Sequence, residues 1–118
     1  MPAKPKKKKP SYDEALAERS RKVLAGERGV TEKKMFGGVC FLHRGNMVGG
    51  VADGILLVRV GADAYEAALA EPHVRPMTFT GRPLKGMVYV DPRGCATAAA
   101  LARWLRKGLA FASSLPPK

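Results

Sequence analysis

The thiols and imidazoles of this sequence are Cys40, Cys95, His43 and His73. Cys40 and His43 form a C-x-x-H pair, but a tetrahedral metal site needs more ligands, and residues three apart in a strand point to opposite faces. Cys95 is the best candidate nucleophile, because Arg93 and the start of a following helix would lower the pKa of its thiol. No identifiable base accompanies Cys95, so these residues predict neither a catalytic site nor a metal site.

Hydroxyls and carboxylates add no catalytic arrangement. Ser11 precedes Glu14 with the spacing of a helix capping box, and Ser113 and Ser114 fall at a predicted helix end. The ten acidic residues are scattered over predicted helix faces and turns, so no pair of carboxylates indicates acid–base catalysis. We therefore expect a protein that is not an enzyme and that uses no cofactor.

Two glycine pairs, at 37–38 and 49–50, resemble the glycine-rich loops that hold phosphate groups. The segment lacks both G-x-x-x-x-G-K-[ST] and a G-x-G-x-x-G that opens a helix, which are the sequences that bind nucleotide phosphates. Apolar and β-branched residues surround the glycines, which favours two strands joined at Arg44-Gly45. That hairpin predicts a register in which Gly38 faces Val51, Val39 faces Gly50 and Cys40 faces Gly49.

The formal charge of the 118-residue chain is +11, and its first ten residues, MPAKPKKKKP, are rich in lysine. Prolines and like charges prevent residues 1–10 from burying an apolar face, so we predict a disordered basic arm followed by one folded domain over 11–118. Such an arm attracts phosphate, and nonspecific nucleic-acid binding is the alternative function. The predicted contacts are Lys4, Lys6, Lys7, Lys8 and Lys9 of the arm, with Arg82, Lys85, Arg103, Arg106 and Lys107 of the domain.

The composition is that of a globular domain, with 46% hydrophobic and 26% charged residues. No apolar run approaches the roughly 20 residues that span a bilayer, and the N-terminus lacks the apolar segment of a secretory signal. Two cysteines in such a chain are expected to stay reduced. We therefore predict a cytoplasmic protein without membrane contact.

Periodicity predicts three helices and five strands. Helical spacing and propensity indicate helices over 12–25, 62–71 and 97–112. The last of these places Leu101, Trp104, Leu105 and Ala112 on one apolar stripe, which we expect to pack on the sheet. Strand composition marks 35–43, 47–52, 55–60, 74–80 and 87–91. The segment GRPLKG, at 81–86, is predicted to be an exposed connection because it combines two glycines with a proline. The antiparallel strands would share one sheet in a two-layer α+β fold of order α-β-β-β-α-β-β-α.

The motif Met35-Phe36-Gly37-Gly38, followed by a hairpin, Asp53-Gly54 and an apolar strand, resembles the N-terminal domain of the TfoX/Sxy family. The later segments FTGRPLKGMVYVDP, LARWLRKGLAF and LPPK extend the resemblance over about residues 12–118. The resemblance implies a secretion-chaperone-like fold with a five-stranded antiparallel sheet and flanking helices. It also implies kinship with bacterial competence regulators that act in transcriptional activation and carry a further C-terminal domain, whereas this chain is expected to be a single-domain member.

The resemblance and the missing catalytic groups together predict a non-enzymatic binding or regulatory module. We expect the module to act through protein–protein contacts, with a protein partner or as a homodimer. The resemblance supplies no catalytic residues. The motif residues are expected to shape the sheet; they are Met35, Phe36, Gly37 and Gly38.

Overall fold

Antiparallel strands form one sheet, and α-helices pack beside it. The computed structural model describes residues 14–35, 38–52, 54–79 and 81–118. Within these ranges the elements are α1 Glu14–Leu24, β1 Val30–Met35, β2 Gly38–His43, β3 Asn46–Ala52, β4 Ile55–Arg59, α2 Tyr65–Leu69, β5 Val74–Phe79, β6 Arg82–Val90 and α3 Ala98–Ser113, with a 3₁₀ turn at Pro92–Cys95. The six strands lie in the order β1-β2-β3-β4-β6-β5. The predicted α+β class is confirmed.

The predicted number of strands, five, is wrong, because the sequence-based prediction omits β1. That prediction treats 35–43 as one strand, whereas Met35 ends β1, Gly38 begins β2, and the two residues face each other in an antiparallel pair. The strand VTEKKM carries three charged residues in a row and lacks the apolar alternation that indicates a strand. Charge on β1 is compatible with its place at the edge of the sheet, where charged side chains discourage pairing with another chain.

The turn between β2 and β3 lies where the sequence places it. His43 faces Asn46, and the two residues between them have positive φ angles, 50° at Arg44 and 88° at Gly45. Positive φ at both central residues is the geometry of a type I′ turn, which matches the twist of the flanking strands. The C-terminal segment contacts this turn, because the Lys118 amide donates to the Arg44 carbonyl at 2.9 Å.

Beyond that turn, a β-bulge makes the predicted register wrong by one residue. The register shifts between Phe41 and Leu42, which leaves Val48 as an extra residue on β3. Val48 is fully buried, and its carbonyl lies against Gly108 of α3, so the bulge coincides with the close approach of a helix. The observed facing pairs are Val39 with Val51, Cys40 with Gly50 and Phe41 with Gly49.

The segment GRPLKG is largely strand, which corrects the prediction of a connection. β6 begins at Arg82, and Pro83 faces Thr78 of β5 after a shift in register. Proline is tolerated there because β4 pairs with β6 only from Met87 onward, so Pro83 needs no amide donor on its β4 side. The solvent exposure predicted for Arg82 is confirmed.

The helices lie at the predicted places with different ends. The proposed start of α1 and the capping residue Ser11 lie outside the described residues, and α2 is shorter than the predicted 62–71. Thr97 caps α3, since its hydroxyl oxygen accepts from the Ala100 amide at 3.1 Å. On the helix, Trp104 and Leu105 are buried in the main core, so α3 packs its apolar side on the sheet as the spacing predicts.

Candidate functional site

One face of the sheet packs against the helices. Residues that face each other across a ladder share a side of the sheet, and alternate positions point to the opposite side. Leu16 of α1, Tyr65 of α2 and Trp104 of α3 all belong to one core. The strand residues of that core are Val39, Phe41, Val48, Val51, Leu56, Val58, Val88 and Val90. The side chains between these positions therefore point to the opposite side of the sheet; among them, Arg59 at the end of β4 still reaches Phe111 of α3.

The opposite face of the sheet is also apolar. We call it the helix-free face, and its apolar members are Cys40, Leu42, Met47, Ile55, Leu57, Met87 and Tyr89. Cys40 and Leu57, at its centre, are 3% and 8% exposed but do not belong to the core beneath the helices. The others are partly exposed. A sheet with only one side against helices usually alternates apolar and polar residues, so this second apolar surface calls for a functional explanation.

Cations border the helix-free face. Lys33 lies opposite Cys40, Arg59 lies opposite Met87, and Arg75 lies opposite Tyr89. Arg75 is neutralised by Asp91 at 2.9 Å. No described carboxylate forms an ion pair with Lys33 or Arg59. The rim of the face is therefore net positive among the described residues.

At one end of this face the surface deepens into a cleft of about 470 Å³. We call it the basic cleft; the side chains that give it its character are Met47, Arg59, Leu84, Lys85, Met87 and Phe111. Leu84 is 39% exposed, an unusual position for a large apolar side chain in the described chain. A concave, mainly apolar surface with a few polar groups is the common form of a ligand site.

Backbone features at the end of β4 build the basic cleft. The Gly86 carbonyl accepts from the amides of both Val60 and Gly61, at 2.8 and 3.1 Å, which is the hydrogen-bond pattern of a β-bulge. Gly61 has a φ of +88°, and a Cβ there would lie 2.6 Å from the Phe111 ring. The ring therefore packs on bare backbone. The Arg59 guanidinium lies over the same ring, 5.2 Å from its centroid, in a cation–π contact.

The basic residues that the sequence proposes for nucleic acid occupy different parts of the domain. Arg103, Arg106 and Lys107 line one shallow groove on α3, whereas Lys85 lines the basic cleft. Arg103 is already paired with Glu71 at 2.7 Å and lies over the Trp104 ring. This pairing lowers the pKa of the Glu71 carboxyl. Arg82 is exposed at the start of β6, and the arm lysines Lys4, Lys6, Lys7, Lys8 and Lys9 lie outside the described residues.

The glycine motif lies at the junction of β1 and β2. Met35 ends β1 and Gly38 begins β2, while Phe36 and Gly37 lie outside the described residues. A Cβ on Gly38 would collide with the Val51 carbonyl of the neighbouring strand. Close approach of two strands therefore accounts for glycine at this position.

The thiols are poorly placed for chemistry. Cys95 is 1% exposed, and its Sγ donates a weak hydrogen bond to the Asp91 carbonyl at 3.7 Å. Burial raises the pKa of the Cys40 thiol to about 11, which disfavours the reactive thiolate. Cys40 and His43 both lie on β2, but nowhere in the described ranges do three His, Cys, Asp or Glu side chains gather as a metal site requires.

Comparison with known proteins gives one clear relation. The model of the TfoX N-terminal domain matches residues 22–112, which is most of the chain and includes all six strands. No curated protein and no solved structure gives a significant match. In the part of the chain that the structure describes, no helix is long and apolar enough to cross a membrane. The chain therefore belongs to the TfoX N-terminal domain family.

Proposed function

We propose that this domain is a non-enzymatic regulatory module that binds a protein through the helix-free face. Membership of the TfoX N-terminal domain family supports a regulatory or competence-related role. The observation that carries the proposal is the continuous apolar surface on the side of the sheet away from the described helices, partly exposed at Leu42, Met47, Met87 and Tyr89. Exposed apolar patches rimmed by charge are typical of protein-binding surfaces.

The dimensions of the helix-free face fit a modest interface. Six strands about 4.8 Å apart, five to nine residues long at about 3.4 Å per residue, give a flat area of roughly 500 Å² before side-chain relief is counted. Standard interfaces bury about 800 Å² on each partner, so the whole face would be used.

Pairing along the sheet edges is a less suitable mode. The edge strand β1 carries exposed Glu32, Lys33 and Lys34, and the edge strand β5 carries Arg75 and Pro76. Charged residues and proline at an edge discourage the addition of another strand. Face-on contact is therefore the mode that the side chains favour.

Partner capture with matched variants tests this proposal. Met87→Gln with Tyr89→Gln removes apolar surface from the face without adding charge, while Arg106→Gln on α3 serves as the control. We expect captured partners to fall at least tenfold with the face variant and to be retained by the control. Light scattering on the same proteins tests the alternative occupant, a second copy of the chain, because a homodimer formed through the face would dissociate in the face variant. Equal capture and equal oligomeric state in all three proteins, with unchanged thermal stability, would sink the proposal.

Nonspecific nucleic-acid binding is the second proposed function. It is supported by the lysine-rich arm together with the exposed cations Arg106 and Lys107 on α3. Five arm lysines would neutralise up to about five phosphates, giving a slope as steep as about −4.5 in a log–log plot of affinity for duplex DNA against salt. Comparing the full chain with one that starts at Ser11, across a salt series, decides the role of the arm. Equal affinity and equal slope would remove the arm from the explanation.

A further inference from the structure

The basic cleft combines two features that together define a ligand chemistry. Its walls are apolar at Met47, Leu84, Met87 and Phe111, and its charged side chains are Arg59 and Lys85. Neither cation forms an ion pair with a described carboxylate, in contrast to Arg75 on the same face. An apolar recess that contains two uncompensated cations is suited to a group with a carboxylate and an apolar neighbour.

The cation–π contact orients the Arg59 guanidinium so that it can bind a carboxylate. Its guanidinium lies over the Phe111 ring at 5.2 Å, and that ring packs directly on the Gly61 backbone. Stacking uses the flat side of a guanidinium, and its N–H groups along the edge can still bind a carboxylate with two parallel hydrogen bonds. Because the side chain is already held by the ring, less conformational entropy is lost when the carboxylate binds.

We propose that the basic cleft binds an acidic side chain and an adjacent apolar side chain from a segment of the partner protein. This inference rests on the proposed function and adds the chemistry of the partner to it. The cleft is continuous with the helix-free face, because Met47, Arg59 and Met87 belong to both. An acidic, apolar segment bound along the face would therefore place one of its carboxylates in the cleft.

Charge complementarity excludes a second copy of the chain as the favoured occupant. A symmetric pair of helix-free faces would bring the rims of two positive surfaces together, with Lys33 and Arg59 contributed by both copies. The chain as a whole carries +11, which adds to the repulsion. Like charges placed against each other across an interface disfavour the pair, whereas an acidic partner gains attraction and specificity.

A synthetic peptide of alternating Glu and Leu, acetylated and amidated, is the test ligand, and a Gln–Leu peptide of equal length is its control. Fluorescence anisotropy at about 50 mM salt measures the affinity of the full chain. We expect the Glu–Leu peptide to bind at least tenfold more tightly than the Gln–Leu peptide. Arg59→Gln with Lys85→Gln should lower the affinity for the Glu–Leu peptide at least tenfold, because two charge-assisted contacts are lost.

The matched control for protein charge is Arg82→Gln with Arg106→Gln, which removes two exposed cations outside the cleft. That variant should bind the Glu–Leu peptide within about twofold of the unsubstituted chain. Lys85→Gln alone, at an exposed position, should still weaken binding severalfold, which provides a second test if the double variant unfolds. Absence of peptide binding, equal binding of the two peptides, or equal loss in the cleft and control variants would overturn the inference.

A single-stranded oligonucleotide of the same charge separates a phosphate ligand from a protein ligand. If the oligonucleotide binds as tightly as the Glu–Leu peptide, and loses affinity only with the cleft variant, the peptide assignment is wrong. The partner-capture assay separates the two proposals. Partners lost with the Met87 and Tyr89 variant but retained by the cleft variant would leave the helix-free face as the binding surface and overturn the role of the cleft.

Discussion

Replacing Gly108 with alanine tests how closely α3 approaches the sheet. Gly108 lies in the interior of α3 and is buried, where glycine normally costs about 0.5–1 kcal/mol relative to alanine. By propensity alone, Gly108→Ala should stabilise the protein. In this fold a Cβ on Gly108 would collide with the Val48 carbonyl and lie 3.2 Å from the Val48 side chain. We therefore expect Gly108→Ala to destabilise the protein, the opposite of what helix propensity predicts.

The magnitude follows from two opposing contributions. Inserting a methyl group into a packed site that cannot relax costs about 1–3 kcal/mol, and the gain in helix propensity offsets about 1 kcal/mol of that. The obstructing atom is the backbone oxygen of the bulged residue on β3, so relief requires α3 or the strand to move. This rigidity places the cost in the upper part of that range, about 2–3 kcal/mol. We therefore expect a net loss of about 1–2 kcal/mol, which corresponds to roughly 4–12 °C in Tm for a domain of this size.

Urea unfolding and calorimetry of the full chain measure this change. The matched control is Gly26→Ala, since Gly26 is exposed after α1 and a Cβ there would meet nothing within 4 Å. That control should change the free energy of unfolding by no more than about 0.5 kcal/mol. A Gly108→Ala protein as stable as the unsubstituted chain, or more stable, would refute the close approach of α3 to β3.

Three further predictions concern charge and thiol groups. Arg21 forms hydrogen bonds with Glu32 that lower the pKa of the Glu32 carboxyl. The pair therefore stabilises the fold above the usual glutamate pKa, and this contribution disappears as pH falls through the lowered value. Arg21→Gln should flatten the acid side of a stability–pH curve by about 0.2–1 kcal/mol, and an unchanged curve would count against the pair. Burial raises the pKa of the Cys40 thiol, so the contribution of this thiol to stability is full below the pKa of a free thiol and falls as pH rises towards about 11. Neither Cys40 nor Cys95 should react with a thiol reagent at pH 8 until the protein unfolds. Rapid labelling of the native protein would contradict the burial of these thiols. The Arg19 guanidinium donates at 3.0 Å to the carbonyls of Cys95 and Ala96, which precede α3. Arg19→Gln should therefore lower the free energy of unfolding, measured with urea, by about 1–3 kcal/mol. A loss no greater than that of the exposed control Arg106→Gln would show that these hydrogen bonds are not stabilising.

Local signals in the sequence are enough to predict most of the elements. The Arg44-Gly45 turn is predictable because it lies between two apolar strands and contains glycine. A type I′ turn requires positive φ at both central residues, and glycine adopts positive φ readily. The apolar stripe of α3 likewise predicts which side chains are buried, including Trp104 and Leu105. Family membership is predictable for the same reason, since it depends on short motifs in a fixed order along the chain.

The basic cleft is a different case, because its residues come from separated parts of the chain. Met47, Arg59, Lys85 and Phe111 lie on β3, β4, β6 and α3, and no local pattern in the sequence relates them. The sequence does single out Lys85, but for a nucleic-acid surface. It gives no signal for Arg59 beyond one polar position in an apolar strand.

The sequence by itself determined the class of the fold, the β2–β3 turn, the apolar stripe of α3 and the family, because these depend on residues that are close together in the chain. Tertiary structure alone decided the place of β1 at the edge of the sheet, the register around Val48 and the assembly of the basic cleft. A bulge and an edge strand result from competition between strand pairing and helix packing. That competition involves residues far apart in sequence, such as Val48 and Gly108, whose contact exists only once α3 lies on the sheet.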